Sequence, residues 1–320
     1  MRFDDTIFAL ASAPGKSAVA IVRLSGGAAG EAVCRLTGGA LPPPRQAELR
    51  RLADPHADPH CGAEIDRALV LWFPGPASYT GEDVAEFHVH GGRAVVAALL
   101  SALAAIDGLR PAEAGEFSRR AFEYGKLDLT AAEGIADLVD AETEFQRRQA
   151  LRQSGGALGE LYEEWRRRLL KIRALIESTI DFSDQELPDG VLDPIAPEIH
   201  ALSAEISTHL QDGGRGERLR VGVQVAILGP VNAGKSSLLN RLAGRDAAIV
   251  ASEEGTTRDV IEVRMDVAGW PLTVADTAGL RVSTSAVEAE GMRRARARAA
   301  EADLKIMLLD GARWPNGGKE

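Results

Sequence analysis

The sequence predicts a multidomain α/β protein, and three observations carry this prediction. The first third of the chain mixes strand and helix patterns, and the middle repeats apolar residues at helical spacing. The last third has a strand–loop–helix–strand order, which is typical of a doubly wound parallel sheet. We therefore predict an α+β domain over residues 1–122, a helical bundle over 123–215 and a P-loop-type parallel-sheet domain over 216–320.

Strand patterns and one apolar helix define the first domain. The segments AVAIVRL (18–24), ALVLWF (68–73) and VAEFHVH (84–90) are rich in strand-forming residues, and turn residues such as PGPASYTG (74–81) separate them. RAVVAALLSALAAI (93–106) is apolar on nearly every side, which predicts a buried helix. Together these segments predict the α+β class for this domain.

Helical spacing defines the second domain. It runs through residues 127–153, 158–182 and 195–210. Thr130 followed by Glu133 fits a capping box at the start of the first helix. The polar, glycine-rich segment QDGGRGERLR (211–220) predicts a hinge and a domain boundary.

Composition and charge limit the function classes. The formal net charge of −10 argues against broad, non-specific binding to nucleic acid. No run of about 18 apolar residues occurs, and Asp4 and Asp5 stand where a secretory signal needs positive charge. We predict a cytoplasmic protein without a membrane segment.

A phosphate-binding loop follows a strand pattern in the third domain. VGVQVAIL leads directly into GPVNAGKS at 229–236, which satisfies G-x-x-x-x-G-K-[ST] in its strand–loop–helix context. Gly229 and Gly234 allow backbone N–H groups to face phosphates. Lys235 is predicted to reach the β- and γ-phosphates, and Ser236 to coordinate Mg²⁺.

Two further segments predict a GTPase of the translation-factor class. DTAGL (276–280) closes a strand pattern, where Asp276 can reach Mg²⁺ through water and the Gly279 N–H can bond the γ-phosphate. EEGTTRD (253–259) lies between the two motifs, and Thr257 is placed to complete the Mg²⁺ shell as switch loops do.

The residue after DTAG bears on the mechanism. Many GTPases orient the attacking water with a glutamine there, whereas this chain has Leu280. Asn232 is one of only three asparagines, and its amide oxygen could hold a monovalent cation against the phosphates. The alternative is that Asn232 only tolerates a tight turn.

The motifs together resemble the MnmE (TrmE) family of tRNA-modification GTPases. The resemblance extends outside the phosphate loop, to DTIFALASAPGKSAVAIVRLSG, LWFPGPASYTGEDVAEFHVHGG and AGEFSRRAFEYGKLDLTAAEGIADL. It includes GPVNAGKSSLLNRLAGRDAAIV, GTTRDV and DTAGLR, so it covers essentially the whole chain.

The resemblance implies a domain order, cofactors and partners. It implies an N-terminal folate-binding domain, and a GTPase domain inserted into a helical domain. GTP, Mg²⁺, K⁺ and 5-formyl-tetrahydrofolate are the implied ligands. The implied partners are a second copy in a homodimer, the flavoprotein MnmG (GidA) in a heterotetramer, and the tRNA whose wobble uridine is modified.

The resemblance also implies site residues. Arg23, Glu86 and Lys126 would contact the folate, and Glu288 would orient the attacking water, with Lys235 and Asp276 as its catalytic neighbours. The alternative for Glu288 is a solvated helix carboxylate. The implied GTP contacts are Asn232, Ala233, Gly234, Lys235, Ser236, Ser237, Ala251, Ser252, Glu253, Glu254, Gly255, Thr256, Thr257, Asp276, Thr277, Ala278 and Gly279. The implied metal ligands are Ser236 and Thr257 for Mg²⁺, and Asn232, Ala251, Glu253 and Thr256 for K⁺.

The sequence departs from the family pattern in two respects. No asparagine precedes a lysine, so the guanine-reading N-K-x-D motif is missing, and we expect a chain that is incomplete within its GTPase domain and only weakly selective for guanine. Ala251 also stands where the family commonly has Thr or Ser. A non-catalytic folate-binding module and an Era-like ribosome-assembly GTPase therefore remain alternatives.

Two weaker patterns have competing interpretations. Glu86, His88 and His90 alternate on one strand, which fits either a metal face or packing and ligand contact. The basic segments WRRRLLKIR (165–173) and RRARAR (293–298) fit either tRNA phosphate contact or solvated helix faces.

Overall fold

The fold is described from a computed structural model, which divides into two compact units, residues 1–132 and 133–320. None of the described helices combines the length and the apolar character needed to traverse a lipid bilayer. The residues that the structure describes are 4–55, 64–181, 190, 192–211, 214–229, 233–235, 237–238, 241, 248–249, 262–276 and 300–309.

A six-stranded mixed sheet with order β3-β4-β5-β2-β1-β6 forms the centre of the first unit. The strands pair antiparallel, except that β6 is parallel to β1. The strands are β1 (Thr6–Leu10), β2 (Ser17–Ser25), β3 (Glu48–Ala53), β4 (Glu64–Phe73), β5 (Val84–Gly91) and β6 (Leu109–Pro111). The helices are α1 (Ala29–Thr37), α2 (Arg93–Ala104) and α3 (Glu116–Glu123).

One face of this sheet packs against α1 and α2. Alternate strand residues such as Val22, Leu24 and Phe87 are fully buried there, together with Leu36 and Leu99 from the two helices. Because successive side chains on a strand point to opposite faces, the residues between them lie on the other face. This alternation places Arg23 of β2 and Glu86 of β5 opposite the helix-covered core.

Helices lead the second unit. They are α4 (Leu129–Asp140), of which residues 133–140 belong to this unit, α5 (Glu144–Ser154), α6 (Ala157–Asp181), α7 (Ile195–Leu210) and α8 (Arg215–Val221). Arg168 of α6 bonds Glu198 (2.5 Å) and Glu205 (2.7 Å) of α7, and the rings of Tyr162 and Trp165 contact His209. These contacts hold the two long helices together.

Two local predictions for the helices were wrong. The side chain of Asp128, not Thr130, accepts the Ala131 N–H (2.7 Å) at the start of α4, so Asp128 caps the helix. A carboxylate one position before the helix is favoured by the unpaired N–H groups of the first turn. The predicted hinge 211–220 is also partly helical, because residues from Arg215 onward form α8.

A capping box does occur, at the next helix. Thr143 precedes α5, its side chain accepts the Gln146 N–H, and the Gln146 side chain accepts the Thr143 N–H at 3.0 Å. This reciprocal pair satisfies two orphan donors. It splits the predicted long helix over 127–153 into α4 and α5.

The described strands of the second unit form a sheet with order β11-β7-β10-β9-β8. The parallel strands β11 and β10 flank β7, and β9 and β8 follow antiparallel. The strands are β7 (Val223–Leu228), β8 (Ala248–Ile249), β9 (Glu262–Val267), β10 (Trp270–Asp276) and β11 (Leu304–Met307). A parallel sheet beside helices confirms the predicted α/β fold class.

Candidate functional site

Arg23 and Glu86 form an ion pair on the face of the first sheet opposite α1 and α2. They are direct partners in the antiparallel register of β2 and β5. Arg23 Nε and Nη2 donate to Glu86 Oε1 at 2.9 and 2.8 Å, and the side chains are 28% and 15% exposed. Opposite charges facing each other across two strands stabilise the pair.

His88 engages the other oxygen of the same carboxylate. Its Nε2 lies 3.2 Å from Glu86 Oε2, and both residues are half-buried. His90 instead lies against Asp66, with Nδ1 at 2.8 Å from Oδ1. The residues that the structure describes include no group of three or more His, Cys, Asp or Glu side chains that could hold a metal ion.

The loop over residues 74–83 brings further groups to Arg23. The Arg23 guanidinium lies 5.3 Å from the centre of the Tyr79 ring in this loop and 5.8 Å from that of Phe117 in α3. The Tyr79 hydroxyl is 2.9 Å from Ser118 Oγ. The sequence analysis missed Tyr79, Phe117 and Ser118, because nothing in their spacing shows that the loop and α3 meet.

Lys126 lies against the same loop. Its Nζ donates to the Pro76 carbonyl oxygen at 3.1 Å, and a Cβ added at Gly81 would lie 3.4 Å from its Cγ. The three residues predicted to bind folate therefore fall into two groups. Arg23 and Glu86 touch directly, and Lys126 reaches the loop that also carries Tyr79.

A buried ion network fixes α3 and the loop. Arg120 is fully buried and donates to Asp5 Oδ1 (2.7 Å), Glu116 Oε1 (3.1 Å) and Glu82 Oε1 (3.2 Å). Hydrogen bonds from Arg110 lower the pKa of Glu116 to about 2. Buried charges require such compensation, so the network ties the loop, α3 and the start of β1 into one arrangement.

The phosphate-binding loop begins where β7 ends. Gly229 has φ of 150°, and a Cβ there would lie 2.4 Å from the Leu308 carbonyl oxygen, so only glycine fits. Lys235 is buried, and its Nζ reaches back to the Gly229 carbonyl oxygen at 2.8 Å. Ala233 and Gly234 are half-buried, and Ser237 is exposed.

The second nucleotide motif lies beside the first. Asp276, the last residue of β10, pairs in parallel register with Ile227 of β7. The ends of both strands therefore meet at the same sheet edge, where open α/β sheets bind their ligands. The remaining predicted residues lie outside the described ones: Asn232, Ser236, Ala251, Ser252, Glu253, Glu254, Gly255, Thr256, Thr257, Thr277, Ala278, Gly279 and Glu288.

The arginines of α6 are paired with carboxylates. Arg166 bonds Glu163 at 2.8 Å, and Arg173 bonds Glu177 at 2.8 Å, both one helical turn apart. Such i,i+3 and i,i+4 pairs are typical of a solvated helix surface. This observation favours the solvated-face interpretation of WRRRLLKIR over tRNA contact, and RRARAR lies outside the described residues.

A glycine-rich loop with a buried lysine, at the end of a central parallel strand, defines the class of P-loop nucleotide-binding proteins. In this chain a mixed α/β unit and a helical segment precede the loop.

Comparison with known proteins identifies the family within that class. The family described as "GTP-binding protein TrmE N-terminus" matches residues 6–126, and "MnmE helical domain" matches residues 129–306. The chain belongs to the MnmE family of tRNA modification GTPases. The resemblance inferred from the sequence and the predicted GTPase class are thereby confirmed.

Individual relatives show how much of the family protein this chain represents. It is 59% identical to "tRNA modification GTPase MnmE" of Parvibaculum lavamentivorans over 95% of this chain and 69% of that protein. The protein of the same name from Paramagnetospirillum magneticum is 57% identical over 98% of this chain and 69% of its own length. "5-taurinomethyluridine-[tRNA] synthase subunit GTPB3, mitochondrial" of Danio rerio is 54% identical over 98% and 62%.

Proposed function

We propose that this chain binds and hydrolyses GTP as part of the modification of the wobble uridine of tRNA. One observation carries the proposal: buried Lys235 closes a glycine loop at the end of β7, directly beside the end of β10 that bears Asp276. Relatives that share most of this chain are named tRNA modification GTPases. The match of the TrmE N-terminal family from residue 6 favours this proposal over an Era-like GTPase, which would resemble only the last part of the chain.

Residues of the loop would hold the nucleotide phosphates. Backbone N–H groups around Gly234 and the Lys235 ammonium offer positive charge to phosphate oxygens. The 2.8 Å bond from Lys235 Nζ to the Gly229 carbonyl oxygen supports this role, because it brings the ammonium group to the first residue of the motif. We assign Mg²⁺ to Ser236 and Thr257, and K⁺ to Asn232, Ala251, Glu253 and Thr256. When bound, these ions would neutralise charge that develops on the transferring phosphoryl group.

The attacking water requires a residue other than the one after DTAG. Leu280 is aliphatic and cannot accept a hydrogen bond from water. We therefore propose that Glu288 orients the water, with K⁺ replacing an arginine finger, a role worth about 10³–10⁵ in rate.

The first unit would bind a one-carbon tetrahydrofolate. Reduced folates carry pterin N–H donors and terminal carboxylates, which require an acceptor and cations. Arg23, Glu86 and Lys126 supply both charge types within one unit, and the Tyr79 and Phe117 rings add apolar surface beside them. This combination fits 5-formyl-tetrahydrofolate.

The partners follow from the family. We propose a homodimer, a flavin-dependent MnmG partner in a heterotetramer, and tRNA as the substrate. The name of the Danio rerio relative describes that protein as a synthase subunit, which supports a multi-protein enzyme. The domain limits 1–122, 123–215 and 216–320 and the cytoplasmic location stay predictions.

Steady-state GTP hydrolysis tests the proposal. The full chain should release phosphate from GTP faster in KCl than in NaCl at equal ionic strength, and Lys235→Ala should abolish release. Equal rates in the two salts contradict the K⁺ mechanism. Saturable folate binding without any GTP turnover would instead establish the non-catalytic folate-binding alternative.

A further inference from the structure

We propose that Tyr79, Phe117 and Ser118 are positioning residues that hold the Arg23 guanidinium ready to bind a reduced folate. This inference rests on the proposed folate site and assigns roles to residues outside the predicted set. It concerns three contacts within the first unit. The Tyr79 and Phe117 rings lie against the Arg23 guanidinium, and a hydrogen bond between the Tyr79 and Ser118 hydroxyls joins the loop to α3.

Arg23 is restrained from several directions. Glu86 Oε1 accepts from Nε and Nη2, which fixes the side edge of the guanidinium. The Tyr79 and Phe117 rings lie 5.3 and 5.8 Å away and come from two different elements, the 74–83 loop and α3. Aromatic rings within about 6 Å attract a cation, and the planar guanidinium stacks well on them.

The hydroxyl of Tyr79 is part of the same arrangement. It lies 2.9 Å from Ser118 Oγ, and Ser118 is the neighbour of Phe117 in the helix. A tyrosine side chain has only two rotatable torsions, so one bond at its tip sets the orientation of the ring. The Tyr79–Ser118 bond thus joins the Tyr79 ring to α3, the helix that also carries Phe117.

The restrained guanidinium remains partly accessible. Its Nε and Nη2 atoms bond Glu86, and the side chain is 28% exposed, so an oxygen of the ligand can approach it. A cation held in place before binding loses less rotamer freedom when the ligand arrives, which increases affinity. The Tyr79 and Phe117 rings should therefore increase the affinity for the folate, even though Arg23 is the residue that contacts it.

Calorimetric titration of the full chain with 5-formyl-tetrahydrofolate tests this role. Tyr79→Leu and Phe117→Leu should each raise the Kd about threefold to tenfold, the range expected for removing a ring from a cation. Tyr79→Phe keeps the ring but loses the bond to Ser118, so its Kd should lie between those of the unmodified chain and Tyr79→Leu. Tyr162→Leu is the matched control, since Tyr162 also packs in a ring cluster but lies in the second unit, and its Kd should stay unchanged.

A second measurement separates positioning from simple loss of folding. The Nε–H resonance of Arg23, assigned by its absence in Arg23→Lys, should carry a ring-current shift that the double variant Tyr79→Leu/Phe117→Leu removes. Circular dichroism should match that of the unmodified chain. If both leucine variants bind within twofold of the unmodified chain while Arg23→Ala loses binding, this inference alone is overturned. Absence of binding by the unmodified chain overturns the folate proposal and this inference with it.

Discussion

Arg120 Nη2 lies 3.1 Å from Glu116 Oε1, one helical turn earlier in α3, and neither side chain is exposed. Such an i,i+4 pair on a helix surface contributes only a few tenths of a kcal/mol. Here the pair is buried, and Arg120 also bonds Asp5 and Glu82. Removing one partner would leave a buried charge without compensation. The resulting loss in the free energy of unfolding should therefore greatly exceed the few tenths of a kcal/mol of an exposed pair.

Replacing the buried arginine should strongly destabilise the first unit. Arg120→Met keeps much of the volume but leaves three carboxylates without their shared cation. We expect a loss of about 3 kcal/mol in the free energy of unfolding, measured by urea titration of the full chain. Arg119→Ala, at a 54% exposed neighbour, should change it by less than about 0.5 kcal/mol. Equal effects of the two variants would contradict the network's role.

The same network predicts acid sensitivity. Hydrogen bonds from Arg110 lower the pKa of Glu116 from an ordinary 4.5 to about 2. Because the folded pKa is below the unfolded one, the contribution of Glu116 is complete above pH 4.5 and is lost as the pH falls toward 2. The protection factors of amides in β1 and α3, corrected for the intrinsic exchange rate at each pH, should therefore fall across this window. In Glu116→Gln the protection factors should be lower at neutral pH and should change less on acidification; an unchanged acid response would refute the assignment.

Patterns within single segments predicted much of the fold. The strand patterns at 18–24, 68–73 and 84–90 lie within β2, β4 and β5, and the apolar run at 93–106 contains α2. The helix predicted over 195–210 has the bounds of α7. The prediction was correct for these segments because their apolar periodicity matches the side chains that the fold buries.

Contacts between distant segments could not be predicted in the same way. Arg23 and Glu86 are 63 residues apart, and their facing register depends on the pairing of β2 with β5. Tyr79 and Phe117 reach Arg23 only because a loop and a short helix fold over the strands. The i,i+4 spacing of Glu116 and Arg120 is compatible with an ion pair on a helix, but it indicates neither the burial of the pair nor the partners Asp5 and Glu82.

The start of α4 provides a direct test of the corrected helix cap. Asp128 Oδ1 accepts the Ala131 N–H at 2.7 Å, whereas the Thr130 hydroxyl donates to Asp128 at 2.7 Å. Asp128→Ala should therefore cost about 1 kcal/mol of stability. Thr130→Ala should cost clearly less, because it removes no acceptor from the helix N-terminus. Thermal unfolding of both variants checks the order, and a larger effect at Thr130 would restore the original prediction.

Gly229 should be essential for nucleotide binding because the backbone of Leu308 leaves no room for a side chain at this position. The loop starts within van der Waals reach of the segment after β11, and an added Cβ would lie 2.4 Å from the Leu308 carbonyl oxygen. The φ of 150° at Gly229 is also rare for other residues. Gly229→Ala should displace the loop and lower GTP affinity at least about tenfold, as measured by fluorescent-nucleotide titration, since a shift of the backbone removes phosphate contacts.

Gly27→Ala, where an added Cβ meets nothing within 4 Å, is the matched control and should bind GTP with the affinity of the unmodified chain. If Gly229→Ala binds GTP like the unmodified chain, the loop is not the phosphate site.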